Sequence, residues 1–442
     1  MARRKTYEEQ EVLDLEYQGN GIIKPDGRVV FVEGVLPGEL VDVRVTRRKK
    51  DVAFAVPTAF HATAPQRVEP FCEHFAECGG CTWQYLNYRD QLAYKERFVG
   101  DVLRRLGGIE GPAPLPIIGC ENDRFYRNKL EFSFSPTRWL SEHEVEAGHE
   151  IPDRRALGFH VKGRFNRVLD ITTCHLQADP SNEIRTQARR IALAHDLSFH
   201  DPAEHHGLLR TLIVRTTQDG ETMVILTIGE DRPDIAAQFL GELMEAVPDI
   251  TSAHYIINTS RNDDIGPHPA WHVAGTPVIH ERCGHLRFAI HPKSFYQTNS
   301  RQAERLYAVV REWLDARPDD VLLDLYCGIG SIGLFLADRV GSVVGLEYVE
   351  EAVDQARENA ARGGFSSAEF HAGDVRDLLT TAGRAGAPIP QPDVIVLDPP
   401  RAGVNPDVIT EIIRLAPLQI VYVRCKPSTQ ARDLARLREH YE

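Results

Sequence analysis

From about residue 300 onward, short apolar segments alternate with stretches of helical periodicity. The apolar segments are, in order, DVLLDLYC, SVVGLEYV, SAEFHAGD, PDVIVLDPP and QIVYVRC. Candidate helices lie at 301–315, 331–339, 350–362, 405–416 and 428–439. Strand–helix alternation of this kind predicts a doubly wound parallel sheet, which binds ligands outside the carboxyl ends of its strands. The last third of the chain is therefore predicted to be a Rossmann-like α/β domain.

Two other architectures are predicted ahead of this domain. Residues 10–58 alternate apolar and polar side chains between the turn signals PDG and LPGE, which predicts a small β-barrel of the oligonucleotide-binding type. Residues 115–290 mix strand-like segments with a helical candidate at 180–195, and a helix-like stretch at 88–108 precedes them. This pattern is typical of an α+β domain. We expect three parts, with these boundaries: 1–62, 63–295 and 296–442.

The charge of the chain is unevenly distributed. A net charge of −13 argues on its own against a nucleic-acid partner. However, Arg47, Arg48, Lys49 and Lys50 form a basic run of the kind that binds polyphosphates, although a solvated turn explains it equally well. The amino terminus lacks an apolar signal segment, and no stretch approaches the ~20 apolar residues of a membrane span. We expect a cytoplasmic protein with no membrane partner and no obligate protein partner.

Three cysteines fall in the segment FCEHFAECGGCTWQ with the spacing C-x5-C-x2-C: Cys72, Cys78 and Cys81. Disulfides rarely persist in the cytoplasm, and the two glycines allow a tight loop in which several sulfur atoms converge. A structural zinc site normally has two C-x2-C arms, whereas a cubane iron–sulfur cluster takes four thiolates, often three close together and one remote. The remote candidate is Cys174, with Cys120 and Cys283 as competitors.

A glycine-rich segment, LLDLYCGIGSIG, separates the first strand of the α/β domain from its helix. It carries a G-x-G-x-x-G pattern at Gly328, Gly330 and Gly333, and Glu347 ends the next strand. This is the dinucleotide fingerprint with its ribose-binding acid, but methyltransferases that use S-adenosylmethionine need the same geometry. Asp324, Asp374 and Asp398 add carboxylates along the strands. Because a sulfonium cofactor is cationic, this acidic rim favours S-adenosylmethionine over a pyrophosphate.

The fifth strand ends in a thiol, in the segment VYVRCKPSTQ. Cys425 has an ordinary interpretation as a buried apolar residue. However, Arg424 and Lys426 flank it, and nearby positive charge increases the thiolate fraction of a cysteine. A thiolate beside a methyl donor can add to C6 of uracil, which makes C5 nucleophilic enough to attack the methyl group. The thiol therefore predicts a pyrimidine substrate.

Together these motifs resemble the RNA uracil-5-methyltransferase family, over nearly the whole chain. HPKSFYQTNSRQAERLY, DLYCGIGSIG, GLE and LDPPRAG are similar to its cofactor motifs and imply S-adenosylmethionine contacts at Gln297, Tyr326, Glu347 and Asp398. FCEHFAECGGCTWQ is similar to its 4Fe–4S motif, with Cys174 in the place of the fourth ligand. VYVRCKPSTQARDL places the catalytic nucleophile at Cys425. The resemblance also implies an amino-terminal TRAM barrel.

For the substrate, the resemblance implies a uridine of RNA. The chain resembles the bacterial members that modify 23S ribosomal RNA, which implies ribosomal RNA as the substrate, and transfer RNA is the alternative. The uridine would be flipped out of its stack, because C5 and C6 are otherwise inaccessible. Candidate RNA contacts lie in FYRNKLEFSF at Tyr126, Arg127 and Lys129, although a strand with solvated charges explains them equally well.

Three departures from the family pattern leave alternatives open. Arg424 and Lys426 replace small and amide residues, and Tyr296 stands where phenylalanine is common. The family's glutamate base would lie beyond Glu442, so we expect the natural chain to continue. An NAD-dependent oxidoreductase with an iron–sulfur centre is one rival, but it leaves Cys425 and DPPRAG unexplained. An RNA-binding homologue with impaired catalysis is the other.

Overall fold

The computed structural model describes residues 5–111, 113–148, 153–164 and 166–441. The chain forms two compact units. The first comprises the described residues of Met1–Arg105, Ile109–Asp123 and His160–Gly163. The second comprises those of Leu106–Gly108, Arg124–Phe159 and Arg164–Glu442. Among the described residues, no helix is both long and apolar enough to cross a membrane.

The first unit contains a six-stranded sheet. Its strands are β1 (Thr6–Glu11), β2 (Asp14–Leu15), β3 (Gly21–Ile23), β4 (Val29–Val32), β5 (Leu40–Arg48) and β6 (Val52–Ala62). They are arranged in the order β1-β5-β6-β4-β3-β2. Alternate residues of β3 to β6 point into one apolar core, and three register shifts between β5 and β6 bend the sheet around it. A cysteine-containing loop and helix α1 (Tyr88–Gly107) follow, the helix at its predicted position.

The second unit begins with a seven-stranded sheet. Its strands are β7 (Lys129–Ser135), β8 (Ala156–His160), β9 (Val168–Leu169), β10 (Leu209–Thr216), β11 (Thr222–Ile228), β12 (Ser252–Ile257) and β13 (Ala270–Gly275). The helices are α2 (Glu142–Ala147), α3 (Ser181–Ala194) and α4 (Pro233–Ala246). The strand order is β13-β12-β11-β10-β7-β8-β9. Because β11 and β12 are parallel, α4 forms the crossover between them. The predicted α+β character is confirmed, but α2 and α4 were not predicted.

A hairpin of β14 (Ile279–Cys283) and β15 (Leu286–Ile290) leads into the predicted α/β domain. Its strands are β16 (Val321–Leu325), β17 (Ser342–Glu347), β18 (Ala368–Ala372), β19 (Val394–Leu397) and β20 (Gln419–Tyr422). Its helices are α5 (Ser300–Trp313), α6 (Ser331–Leu336), α7 (Glu350–Gly363), α8 (Val375–Thr381), α9 (Pro406–Leu415) and α10 (Pro427–Leu437).

All strand pairs of this sheet are parallel, in the order β18-β17-β16-β19-β20. Successive residues of a strand enter opposite cores: Leu322 and Val343 belong to one apolar cluster, Leu323 and Val344 to the other. Helices therefore cover both faces, as in a doubly wound fold. From the central strand β16, the chain first adds β17 and β18 on one side of the sheet and then β19 and β20 on the other. Sheets of this kind bind ligands at the point where the strand order reverses.

Candidate active site

The carboxyl ends of the five parallel strands bring most of the predicted site residues to one edge of the sheet. β16 runs directly into the turn 326–330, and β17 ends at Glu347. Asp398 follows β19 immediately, and Cys425 lies three residues beyond β20. This edge is therefore the candidate active site.

The glycine-rich turn adopts a backbone conformation that few residues tolerate. Tyr326 has a φ of +63°, which is rare for a bulky side chain. Gly330 has a φ of +79°, and a Cβ at this position would lie 3.0 Å from the ring of Phe370. The turn thus brings bare backbone to the sheet edge, as a closely bound cofactor requires.

The carboxylate of Glu347 is fixed by two backbone groups. Its Oε2 accepts the N–H of Gly328 at 3.1 Å, and its Oε1 accepts the N–H of Val349 at 3.0 Å. These bonds connect the end of β17 to the glycine-rich turn. Each oxygen keeps further acceptor capacity, so the carboxylate can still receive hydroxyl groups of a ribose.

Two more carboxyl groups lie at the same edge in a poorly solvated environment. Burial, together with the charges of Asp398 and Glu347, raises the pKa of Asp324 to about 7, although the Gly333 N–H at 2.9 Å opposes the rise. Burial also raises the pKa of Asp398 to about 6, although Arg424 favours its charged form. Carboxylates that destabilise one another are stabilised by a cationic ligand. The donor set therefore fits the sulfonium and amino groups of S-adenosylmethionine.

Gln297 reaches this edge from the segment that precedes α5. Its Nε2 donates to Asp398 Oδ2 at 2.9 Å. Its backbone is held by Asn128, whose Nδ2 donates to Gln297 O at 2.8 Å and whose N–H donates to Thr298 O at 2.8 Å. The sequence interpretation missed Asn128. The available signal was its place between two basic residues already selected as candidate RNA contacts.

A cavity of about 290 Å³ brings three of the predicted residues together: Gln297, Asp398 and Cys425. Leu306, Trp313 and Arg424 contribute to its wall, whereas Tyr326 and Glu347 do not line it.

The two cysteines of this domain differ in access. Cys425 is exposed. Cys327 is buried, and burial raises its thiol pKa well above the usual value, which disfavours a thiolate. Of these two thiols, only that of Cys425 is accessible to a substrate.

The predicted cluster cysteines are divided between the units. Cys72, Cys78 and Cys81 lie in a loop of the first unit, and Cys174 lies buried in the second. Burial raises the pKa of the Cys78 thiol, and the neighbouring Cys81 and Cys72 raise it further. In the part of the chain that the structure describes, no group of three or more His, Cys, Asp or Glu side chains is arranged to hold a metal ion. The described residues therefore do not support the predicted 4Fe–4S cluster.

The candidate RNA contacts have different surroundings. The basic run 47–50 is exposed, and Arg47 and Lys49 lie over the ring of Phe54, at 4.2 and 5.7 Å from its centre. Lys129 forms an ion pair with Glu131 at 2.6 Å, and burial lowers its pKa. The basic run is therefore the more accessible of the two to a phosphate backbone.

Comparison with known proteins places this geometry in context. A family described as "Methyltransferase domain" matches residues 316–439, and the TRAM domain family matches residues 3–58. An uncharacterized RNA methyltransferase of Bacteroides thetaiotaomicron is 43% identical over 430 residues, covering 96% of this chain and 94% of the relative. One of Porphyromonas gingivalis is 43% identical over 439 residues, covering 97% and 92%.

Among solved structures, the tRNA (uracil-54, C5)-methyltransferase of Pyrococcus abyssi, in complex with S-adenosyl-L-homocysteine, superposes with a TM-score of 0.73. It is 27% identical and covers 97% of this chain and 92% of its own. Fold and site together define an S-adenosylmethionine-dependent RNA methyltransferase with a TRAM domain. Within that class, the chain belongs to the RNA uracil-5-methyltransferase family.

Proposed function

We propose that this enzyme transfers a methyl group from S-adenosylmethionine to C5 of a uridine in RNA, with Cys425 as the nucleophile. The observation that carries the proposal is the exposed Cys425 thiol in one cavity with Gln297 and Asp398. An NAD-dependent oxidoreductase would leave Cys425 and the segment DPPRAG unexplained. We further propose that Gln297, Asp398, Tyr326 and Glu347 contact the cofactor.

The reaction follows from the chemistry of the thiol. S-adenosylmethionine supplies an electrophilic methyl group. The Cys425 sulfur forms a bond to C6 of the flipped uracil, and the displaced electron pair is delocalised over C5 and O4. C5 then forms the bond to the methyl carbon while the bond from that carbon to the sulfonium sulfur breaks. The sulfur keeps the electron pair, and S-adenosylhomocysteine is released. Transfer of the C5 proton to a base and breakage of the C6–S bond restore the aromatic ring and release the thiolate of Cys425.

RNA that carries 5-fluorouridine at the target position tests the nucleophile. Its C5 substituent cannot leave as a proton, so the enzyme should remain covalently attached in a denaturing gel. Cys425→Ala should abolish this adduct while S-adenosylmethionine still binds, and Cys327→Ala should retain it. The opposite pattern would show that the roles of the two cysteines are assigned wrongly.

For the substrate we propose ribosomal RNA, specifically 23S RNA, in the cytoplasm. Transfer RNA is the second candidate, because the Pyrococcus abyssi neighbour acts on it. Mapping 5-methyluridine in both RNA classes, from cells with and without the gene, separates the two. A turnover assay with labelled methyl donor separates an active enzyme from a catalytically impaired RNA-binding homologue.

We retain the 4Fe–4S cluster on Cys72, Cys78, Cys81 and Cys174 as a proposal from the sequence resemblance alone. Protein purified without oxygen should then contain iron and sulfide and show a visible absorption band. Cys174→Ser should lower the iron content, whereas Cys120→Ser should not. Colourless protein with stoichiometric zinc would refute the cluster. The three-part division at residues 62 and 295 is likewise a proposal.

A further inference from the structure

Arg424, the residue before Cys425, connects two loops of the candidate active site. Its Nη1 donates to the backbone oxygens of both Pro399 and Pro400. Its Nε donates to Thr429 Oγ1 at 2.9 Å, in the first turn of α10. The guanidinium thus joins the loop after β19 to the segment after β20.

The later residues of the loop after β19 are attached to α10 by other groups: Val404 N–H donates to Asp433 Oδ2 at 3.0 Å, and Arg432 Nη2 donates to Ala402 O at 3.3 Å. The part that directly follows Asp398 consists of two prolines. Prolines lack an N–H, so Pro399 and Pro400 offer only their carbonyl oxygens to a partner. Arg424 donates to both of these oxygens. Its Nη2 is buried and has no hydrogen-bond partner among the described atoms, which costs stability. Stability alone therefore does not explain an arginine at this position.

The guanidinium also acts electrostatically on Asp398, which precedes the two prolines. Burial raises the pKa of Asp398, and the charge of Arg424 and the hydrogen bond from Gln297 lower it. Asp324, on β16, and Tyr307, on α5, are the other titratable groups that interact with it. Removing the positive charge should therefore raise the pKa of Asp398.

We propose that Arg424 is a positioning residue for methyl transfer, whose guanidinium holds the Asp398 loop against α10 so that Asp398, Gln297 and Cys425 share one cavity. This inference rests on the proposed function. It also gives a role to Arg424, at a position where the family resemblance implies a small residue.

Three variants separate the geometric from the electrostatic contribution. Arg424→Lys keeps the charge but loses the planar fork, so kcat should fall about tenfold, within the range known for misplaced catalytic groups, with an unchanged pH profile. Arg424→Gln loses both the charge and the planar fork, so kcat should fall further. The acidic limb of the pH profile of kcat should also move to higher pH, because the pKa of Asp398 rises. Thr429→Val removes the anchor on α10, together with the hydrogen bond that the Thr429 hydroxyl donates to Lys426 O at 3.0 Å, and should lower kcat less. Arg436→Gln, an exposed charge change on α10, is the matched control and should behave as wild type.

Rates are normalised to the fraction of each protein that binds S-adenosylmethionine, so that loss of folded protein does not count as loss of activity. If wild-type enzyme forms no 5-methyluridine, the proposed function fails. If wild type is active and the variants match it in normalised kcat and pH profile, the inference is overturned. Should Arg424→Gln not fold, Arg424→Lys and Thr429→Val decide: reduced kcat supports the inference, and wild-type kcat overturns it.

Discussion

Asp324→Asn should stabilise the ligand-free protein at alkaline pH. The pKa of this carboxyl group is raised by burial from its ordinary 3.8 to about 7. A pKa difference of about 3, at ~1.36 kcal/mol for each pKa unit, means that the charged carboxylate costs about 4 kcal/mol of folding free energy above pH 7. The neutral amide avoids this cost, and its oxygen can still accept the Gly333 N–H.

The pH dependence of the free energy of unfolding shows whether the ionised Asp324 carboxylate destabilises the fold. Between pH 4 and pH 7 the folded wild type holds a proton that the unfolded chain releases, so its stability should rise as pH falls through this window. The variant should lack this contribution. Urea unfolding at pH 5 and pH 8, followed by circular dichroism, measures both effects, with exposed Asp319→Asn as control. A variant no more stable than wild type at pH 8 would refute the reasoning.

Three further predictions concern the same edge of the sheet. Affinity for S-adenosylmethionine should decrease as pH falls below about 6, because Asp398 takes up a proton; calorimetry that finds a constant affinity from pH 5 to pH 8 would contradict this. Gly330→Ala should destabilise by about 1–3 kcal/mol and weaken cofactor binding. Gly328→Ala is also at positive φ but has open space around its Cβ, so it should lower the free energy of unfolding less when both variants are compared by urea unfolding. Asn128→Ala should lower kcat by releasing Gln297, and a wild-type single-turnover rate would exclude that role.

The α/β domain was predictable because its strands are buried on both faces and so read as continuous apolar runs. All five strands were found, in order. β1 was missed because its sequence, TYEEQE, shows no apolar alternation, and pairing with β5 is what makes it a strand. α4 and α8 were missed although each has a start signal, a proline in the first turn of α4 and the Asp374 cap of α8.

The sequence was sufficient to predict which site residues lie at the ends of strands, but not which residues they contact. A position at or just after the carboxyl end of a parallel strand is enough to place Glu347, Asp398 and Cys425 on one edge. The bond between Asn128 and Gln297 joins residues 169 positions apart. The basic residues on either side of Asn128 mark its segment as a candidate, but they do not indicate which residue it contacts. The buried environment that raises the pKa of Asp324 likewise depends on the packing of distant segments.

The first compact unit includes a segment, His160–Gly163, from much later in the chain. Gly79 N–H donates to His160 O at 3.0 Å, and Lys162 N–H donates to Glu77 O at 3.1 Å. A ribosome completes the cysteine loop before it has made either of these partners. During synthesis Gly79 and Glu77 therefore lack these partners until residues 160–162 have been made, and a fragment ending at residue 123 would never acquire them.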